Sequence, residues 1–286
     1  MIQIPDGFRQ MPRWWRDGTA WLDALPGSVD SQCTTWGLQV GGPLFWGSNA
    51  LVIPVTRGTD EFVLRMNPPG PEVDAQAHAL RWWDGRGMVY LYDVDSAAGA
   101  MLLERLTTPL LSRPVDEAVA VLGGLMRRLA VPPPPDVAST GELVRRRSAE
   151  LEQQWADLGR PFDVAHLRAA LEVAPLLMEP ATDLAVNGDL HSDQVLAGTR
   201  ETWLTVDPVL YRGDIEFDLA RVLWTRLDEM AEIPPYFEIV VHEASLVMDR
   251  ARHWVVYRAV DYWLWGLANG LTEDPVRCER LLKALS

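Results

Sequence analysis

Short apolar runs separated by turn-forming residues fill the first third of the chain. GGPLFW (Gly41 to Trp46), LVIPVT (from Leu51) and EFVLRM (from Glu61) carry β-branched and aromatic residues at strand spacing. The stretch Gly47-Ser48-Asn49-Ala50 and the turn Arg57-Gly58-Thr59-Asp60 separate them, which predicts strand, loop, strand, hairpin and strand. PPGPE (Pro68 to Glu72) interrupts this pattern, and DAQAHALRWW (Asp74 to Trp83) follows with apolar positions at helical spacing. MVYLYDV (from Met88) and AMLLERL (from Ala100) complete a predicted sheet of about five strands.

From Pro114 the period becomes helical. VDEAVAVLGGLMRRLA is amphipathic and ends at the run Pro132 to Pro135; GELVRRRSAELEQQWADL and AHLRAALEVAPLLM predict two more helices. IEFDLARVLWTRLDEM (from Ile215) and the long HEASLVMDRARHWVVYRAVDYWLWGLA (from His242) each read as a helix. Strands first and helices afterwards predict an α+β protein.

Between the helices lies VNGDLHSDQVLAGTRETWLTVDPVLYRGDIEFDL (Val186 to Leu219). QVL and WLTV predict two short strands joined by the polar turn AGTRET, with Asp189 before the pair, Gln194 at its start and Asp207 directly after it. Phosphoryl transfer to an alcohol needs a carboxylate to orient the hydroxyl and accept its proton, and metal ions to neutralise the phosphate oxygens. Asp189 suits the base. The amide of Gln194, five positions on, and the carboxylate of Asp207 are hard oxygen donors suited to Mg²⁺.

The 286 residues are 48% hydrophobic, with no apolar run long enough for a membrane span, so a soluble chain with one large core or two lobes is expected. The start, MIQIPDGFRQMPRWW, has no secretory-signal character, and the distant Cys33 and Cys278 make no disulfide framework; a cytoplasmic location is the expectation. A formal net charge of −14 disfavours a nucleic-acid partner and suits a small-molecule substrate, cationic ones included. The five histidines form no zinc-ligand spacing, and nothing signals an oligomeric state.

N-G-D-L-H-S-D-Q-V-L and V-D-P-V-L-Y-R-G-D-I-E-F-D-L-A resemble the H-G-D-x-H-x-x-N-x-L and I-D-x-x-x-x-G-D-x-x-x-D-L-A signatures of aminoglycoside phosphotransferase-like kinases. WL-x-x-LP (Trp21 to Pro26), GSNALVIPV (Gly47 to Val55), ALRWWDGRG (Ala79 to Gly87) and LLERL (Leu102 to Leu106) extend the resemblance to the branch of streptomycin 6-kinases and hydroxyurea phosphotransferases, over nearly the whole chain. The resemblance implies a two-lobed protein-kinase-like fold. Residues 1–106 would form a small antiparallel β-sheet N-lobe that binds nucleotide and includes the hinge strand. Residues 107–286 would form a mostly helical C-lobe with the catalytic loop and acceptor site. It further implies Mg²⁺ with ATP or GTP, and transfer of the terminal phosphate to a hydroxyl of an aminoglycoside, peptide or nucleoside antibiotic, giving resistance. In this scheme Asp189 is the base, Gln194 and Asp207 bind metal, and Asp218 is a structural carboxylate. Gly47, Ser48, Asn49 and Arg65 meet the phosphates, and the backbone near Glu104 and Leu106 meets the base. Asp214, Glu216, Asp261 and Trp265 are candidates for the acceptor site.

Three departures stand out. Asn187 replaces the family's His, and Gln194 the usual Asn, as also in the maltokinase and glucosamine kinase branches. The phosphate-binding Lys of V-x-L-K is Arg65, and its helical Glu partner aligns with Gln76; Glu72, one turn earlier, is the expected new partner of the longer guanidinium. These changes leave two alternatives open, a metabolic sugar kinase and a catalytically silent nucleotide- or ligand-binding member. His191 reads as a loop-ordering residue.

Overall fold

Seven-residue strands form where branched side chains alternate inward. Leu51, Ile53 and Val55 of β3 (Leu51–Arg57) and Phe62, Leu64 and Met66 of β4 (Asp60–Met66) are buried on one core. The computed structural model describes residues 2–11, 14 and 18–285, so Met1, Pro12, Arg13 and Trp15 of the N-terminal stretch lie outside the described residues. The chain divides into two compact units, Met1–Thr107 and Thr108–Ser286.

In the first unit, β1 (Gln39–Val40) and β2 (Phe45–Trp46) both pair with β3, and the order continues through β4 and β6 (Ala100–Glu104) to β5 (Leu91–Asp95), all antiparallel. The β3–β4 hairpin is tighter than its turn residues predict, with Arg57 paired to Asp60 and Gly58 at φ +64°. GGPLFW is strand only at its end, since the chain leaves the ladder after the Gly41 N–H has bonded the Pro54 carbonyl at 2.9 Å and rejoins it at Phe45, beyond Pro43. Among the described residues two helices, α1 (Asp6–Arg9) and α2 (Thr19–Trp36), precede the sheet, and Leu22, Leu25 and Val29 of α2 join its core. Helix α3 (Pro71–Trp83) starts at a proline in its first turn, three residues earlier than its apolar period indicates, and buries Val73, Ala77, Leu80 and Trp83.

The second unit is built on α4 (Val115–Leu129), α5 (Thr140–Asp157) and α6 (Val164–Leu177). Ser139 and Glu142 form a capping box at the start of α5, and Asp163 caps α6. Two small sheets follow: β7 (Leu184–Val186) with β10 (Tyr211–Gly213), and the hairpin of β8 (Val195–Ala197) with β9 (Trp203–Thr205). The segment from Ile215 is not one helix but a 3-10 turn (Ile215–Asp218), α7 (Leu219–Trp224) and a second 3-10 turn (Leu227–Glu229). The apolar run from His242 is also divided. Helix α8 (Pro234–Ala244) ends where Ser245 takes a left-handed conformation (φ +57°), and α9 (Met248–Ala268) and α10 (Glu273–Leu285) complete the unit. Trp224, Trp254, Tyr257 and Phe237 fill its interior. No helix among the described residues is long and apolar enough to cross a membrane.

Candidate active site

The loop after β7 turns sharply at Gly188, whose φ is +80°. A Cβ there would lie 2.5 Å from the Tyr211 ring and 2.7 Å from the Val209 carbonyl, so only glycine fits. The turn presents Asp189, whose side chain is 34% exposed and so able to meet a ligand. Both carboxylate oxygens are held. Arg221 Nε on α7 donates to Oδ1 at 2.7 Å, and Gln194 Nε2 donates to Oδ2 at 2.9 Å. The Asp189 N–H points to Asn187 Oδ1 at 3.4 Å, so the residue in the family's His position orders the loop. His191 is buried, with Nε2 3.9 Å from Asp189 and Nδ1 3.3 Å from Asp193, and the nearby imidazole holds the Asp193 carboxyl below its ordinary range.

The 3-10 turn Ser192–Gln194 and the β8–β9 hairpin set Gln194 beside the chain that leads to Asp207. Val195 pairs with Thr205, and the Gln194 carbonyl accepts the Val206 N–H at 2.8 Å. Asp207 takes a left-handed conformation, φ +58°, two residues beyond the end of β9 at Thr205. Because only the amide nitrogen can donate to Asp189, the Gln194 Oε1 atom is fixed as the opposite end, and it is buried with no hydrogen-bond partner. A buried carbonyl oxygen without a donor suits a cation. No group of three or more His, Cys, Asp or Glu side chains gathers as a metal site among the described residues. The amide oxygen of Gln194 and the carboxylate of Asp207 are hard oxygen donors, which would suit Mg²⁺ only together with a nucleotide's own phosphates.

Asp218 is buried behind this loop. Burial pushes its carboxyl up to about 7, the charge of Asp189 adds to the rise, and Arg258 and the N–H groups of Gly188 and Leu190 oppose it. Its place fits the structural role the resemblance implies.

The acidic candidates for the acceptor site divide. Asp214 is fully buried: Oδ1 accepts the N–H groups of Ala181 (2.8 Å) and Thr182 (3.0 Å), and Oδ2 accepts Trp254 Nε1 (3.0 Å) and Arg250 Nε (2.7 Å). Glu216 is buried beside it, and that burial raises its carboxyl above the ordinary range. Neither lines the cavity that begins at Gly188, where the acceptor was expected to meet them, and desolvation with four hydrogen-bond donors on Asp214 suits it to a brace between the β10 loop and α9. Asp261 and Trp265 do line a cavity of about 330 Å³ that begins at Gly188. Asp261 is already paired there, with Arg147 Nε at 2.8 Å and Arg258 Nη1 at 3.6 Å. Trp265 stacks on Tyr262 (5.1 Å, 27°), which stacks on Trp224 (4.2 Å, 26°), and the Arg221 guanidinium lies 5.5 Å from the Trp224 ring.

In the first unit, Gly47 N–H bonds the Ala50 carbonyl at 3.0 Å, closing a tight, largely exposed turn over Ser48 and Asn49. The β3–β4 register places Arg65 opposite Val52, so its Nη2 reaches Asn49 Oδ1 at 3.4 Å. Arg65 is buried, while Glu72 lies exposed on the first turn of α3. Glu104 is buried and its carboxylate accepts the Tyr90 N–H at 3.1 Å; Leu106 is buried just beyond β6.

Two sets of residues escaped the sequence reading. Arg221 was legible only as the residue after D-L-A, one helical turn from Asp218. Arg146, Arg147 and Arg258, which line the cavity, read as ordinary surface cations of helices.

The family model for aminoglycoside/hydroxyurea antibiotic resistance kinases matches residues 35–270. The streptomycin 6-kinase of Streptomyces griseus is 35% identical over 95% of this chain and 93% of its own length. The hydroxyurea phosphotransferase of Kitasatospora aureofaciens is 35% identical over 91% of this chain and 78% of its own. Among solved structures, a thermostable aminoglycoside phosphotransferase APH(4)-Ia in ternary complex with ADP and hygromycin B superposes with a TM-score of 0.62 at 17% identity, covering 89% of this chain and 97% of that one, a likeness of fold. With its antiparallel β-sheet unit and helical unit, the chain has the protein-kinase-like fold, and it belongs to the aminoglycoside/hydroxyurea antibiotic resistance kinases, as a nucleotide-dependent phosphotransferase.

Proposed function

We propose that this kinase moves the terminal phosphoryl group of ATP or GTP to a hydroxyl of a small-molecule antibiotic in the cytoplasm, and so inactivates it. Asp189 takes the hydroxyl proton as the oxygen attacks in line, while Arg221 and Gln194 fix the carboxylate's orientation. Gln194 Oε1 and Asp207 would hold Mg²⁺, which would neutralise charge on the phosphate oxygens. In the first unit, Arg65 and the Gly47–Asn49 turn would meet phosphate oxygens, the planar guanidinium replacing the usual ammonium. Backbone groups near Glu104 and Leu106 would meet the nucleotide base. The cavity beginning at Gly188 would seat the acceptor.

One observation supports this reading most: a half-exposed carboxylate, held by a cation and an amide, beside a buried carbonyl oxygen that has no donor. The test incubates the protein with Mg-ATP or Mg-GTP and a panel of antibiotics and amino sugars, and follows the mass of each acceptor. A gain of one phosphoryl group that disappears in Asp189→Ala is expected. No gain on any acceptor, with nucleotide still bound, would favour the silent alternative.

A further inference from the structure

The cavity that starts at Gly188 is lined by three guanidinium groups, those of Arg146, Arg147 and Arg258, and by one carboxylate, that of Asp261. Asp261 is already engaged by the protein's own cations, with Arg147 Nε on Oδ1 at 2.8 Å and Arg258 Nη1 in a looser ion pair with Oδ2 at 3.6 Å. Arg147 is itself engaged at every nitrogen, with Nη1 on Glu150 at 2.6 Å and Nη2 on Gln154 at 2.8 Å besides Nε on Asp261. The other two are not. Arg258 lies over the Phe217 ring at 4.0 Å, and its Nε is buried with no hydrogen-bond partner. Arg146 is exposed and makes no hydrogen bond or ion pair among the described residues. A buried donor without an acceptor is costly, and a guanidinium fork matches the oxygens of a carboxylate or phosphate. The rest of the wall is largely aromatic, and Trp265, at the end of the stack that runs through Tyr262 to Trp224, has its outer face left for a ring. A volume of about 330 Å³ suits an occupant of one or two rings rather than an extended polycation.

We infer that the acceptor of this kinase is a hydroxylated ring compound bearing a carboxylate or phosphate, recognised by Arg146 and Arg258, rather than a polycationic aminoglycoside. The inference rests on the reading of Asp189 as the base and of this cavity as the acceptor site. The net positive lining would repel ammonium groups from the site even though the chain as a whole is acidic.

The test uses sugars that share one ring and differ in charge: glucuronate and glucose 6-phosphate as anions, glucuronamide as the neutral form, glucosamine as the cation. Equilibrium binding is measured by calorimetry with a non-hydrolysable nucleotide present, and transfer is followed separately by mass. Binding of at least one anion about tenfold tighter than glucuronamide is expected, with glucosamine weakest. Arg146→Ala, at an exposed position that leaves the core intact, should collapse the ratio of anion to amide; Arg146→Lys should restore part of it. Glucuronate and glucose 6-phosphate separate the two anionic groups. Equal or weaker binding of the anions, or a ratio unmoved by Arg146→Ala, overturns the inference. Transfer to glucosamine without any anion preference would sink this inference and leave the role of Asp189 standing. Anion preference in binding, with no transfer to any acceptor, would instead sink the kinase role of Asp189.

Discussion

Arg221 Nε donates to Asp189 Oδ1 at 2.7 Å, so the carboxylate proposed to accept the substrate proton is anchored by a cation from the next helix. The anchor is itself set by packing, because the Arg221 guanidinium lies 5.5 Å from the Trp224 ring, on which Tyr262 and then Trp265 stack towards the cavity. Replacing Arg221 with Ala should free the carboxylate to rotate and lower kcat by about a hundredfold, the cost expected for a misplaced catalytic group. Nucleotide KM should stay within about twofold. Arg221→Lys should recover part of the rate, and steady-state kinetics with a fixed acceptor would check both.

Gln194 joins two tasks in one amide. Its nitrogen holds Asp189 and its oxygen stays buried without a donor. Gln194→Leu should therefore lower kcat and also raise the Mg²⁺ concentration for half-maximal rate by about tenfold or more. Gln194→Asn, the residue common in the family, should keep metal dependence close to that of the parent. Titration of activity against Mg²⁺ at saturating nucleotide separates these outcomes. A loss of rate with no change in metal requirement would assign Gln194 to positioning alone.

Asp218 gives the fold a pH signature. Burial pushes its carboxyl up to about 7 in the folded protein, far above the ordinary 3.8. Between those values the folded state holds a proton that the unfolded chain has released, so stability falls as pH rises across that window. Glu216, also raised by burial, contributes with the same sign. Melting temperature measured from pH 4.5 to 7.5 should fall more steeply for the parent than for Asp218→Asn, which cannot titrate. A parallel course of the two curves would show that Asp218 is not the titrating group.

Gly188 offers a purely steric test. Alanine there meets the Tyr211 ring at 2.5 Å and must also hold φ at +80°. Strain and overpacking together should cost about 2 kcal/mol or more of stability. Because the loop carries Asp189, kcat should fall further than the loss of folded protein explains. Urea unfolding alongside kinetics at a temperature where the variant is fully folded would separate the two.

What the sequence made legible follows from how local each signal is. The β3–β4 and β8–β9 hairpins were readable because short β-branched runs and polar turns specify pairing within a few residues, and the spacing of Asp189, Gln194 and Asp207 follows from the second hairpin. Helix α2 was not, because Pro26 and Gly27 at its centre suggest a turn, while Leu22, Leu25 and Val29 on the sheet core stabilise the helix regardless. The break between α8 and α9 was hidden within one apolar run and rests on the left-handed Ser245. The partners of the buried acids lie far along the chain, Arg250 being 36 and Trp254 40 residues from Asp214, and no local pattern encodes such pairings.

Asp214 supplies the sharpest contrast between an acceptor ligand and a brace. Its two oxygens collect backbone N–H groups from Ala181 and Thr182 and side-chain donors from Arg250 and Trp254, and no solvent reaches it. Asp214→Ala leaves the guanidinium and the indole N–H without their acceptor, so a loss of about 3 to 5 kcal/mol in unfolding free energy is expected. Asp214→Asn keeps the shape but removes the charge, and should lose less. Under conditions where either variant remains folded, acceptor KM should match the parent's, because the carboxylate does not line the cavity. A stable Asp214→Asn protein with acceptor KM raised tenfold would return Asp214 to the acceptor site, against its burial.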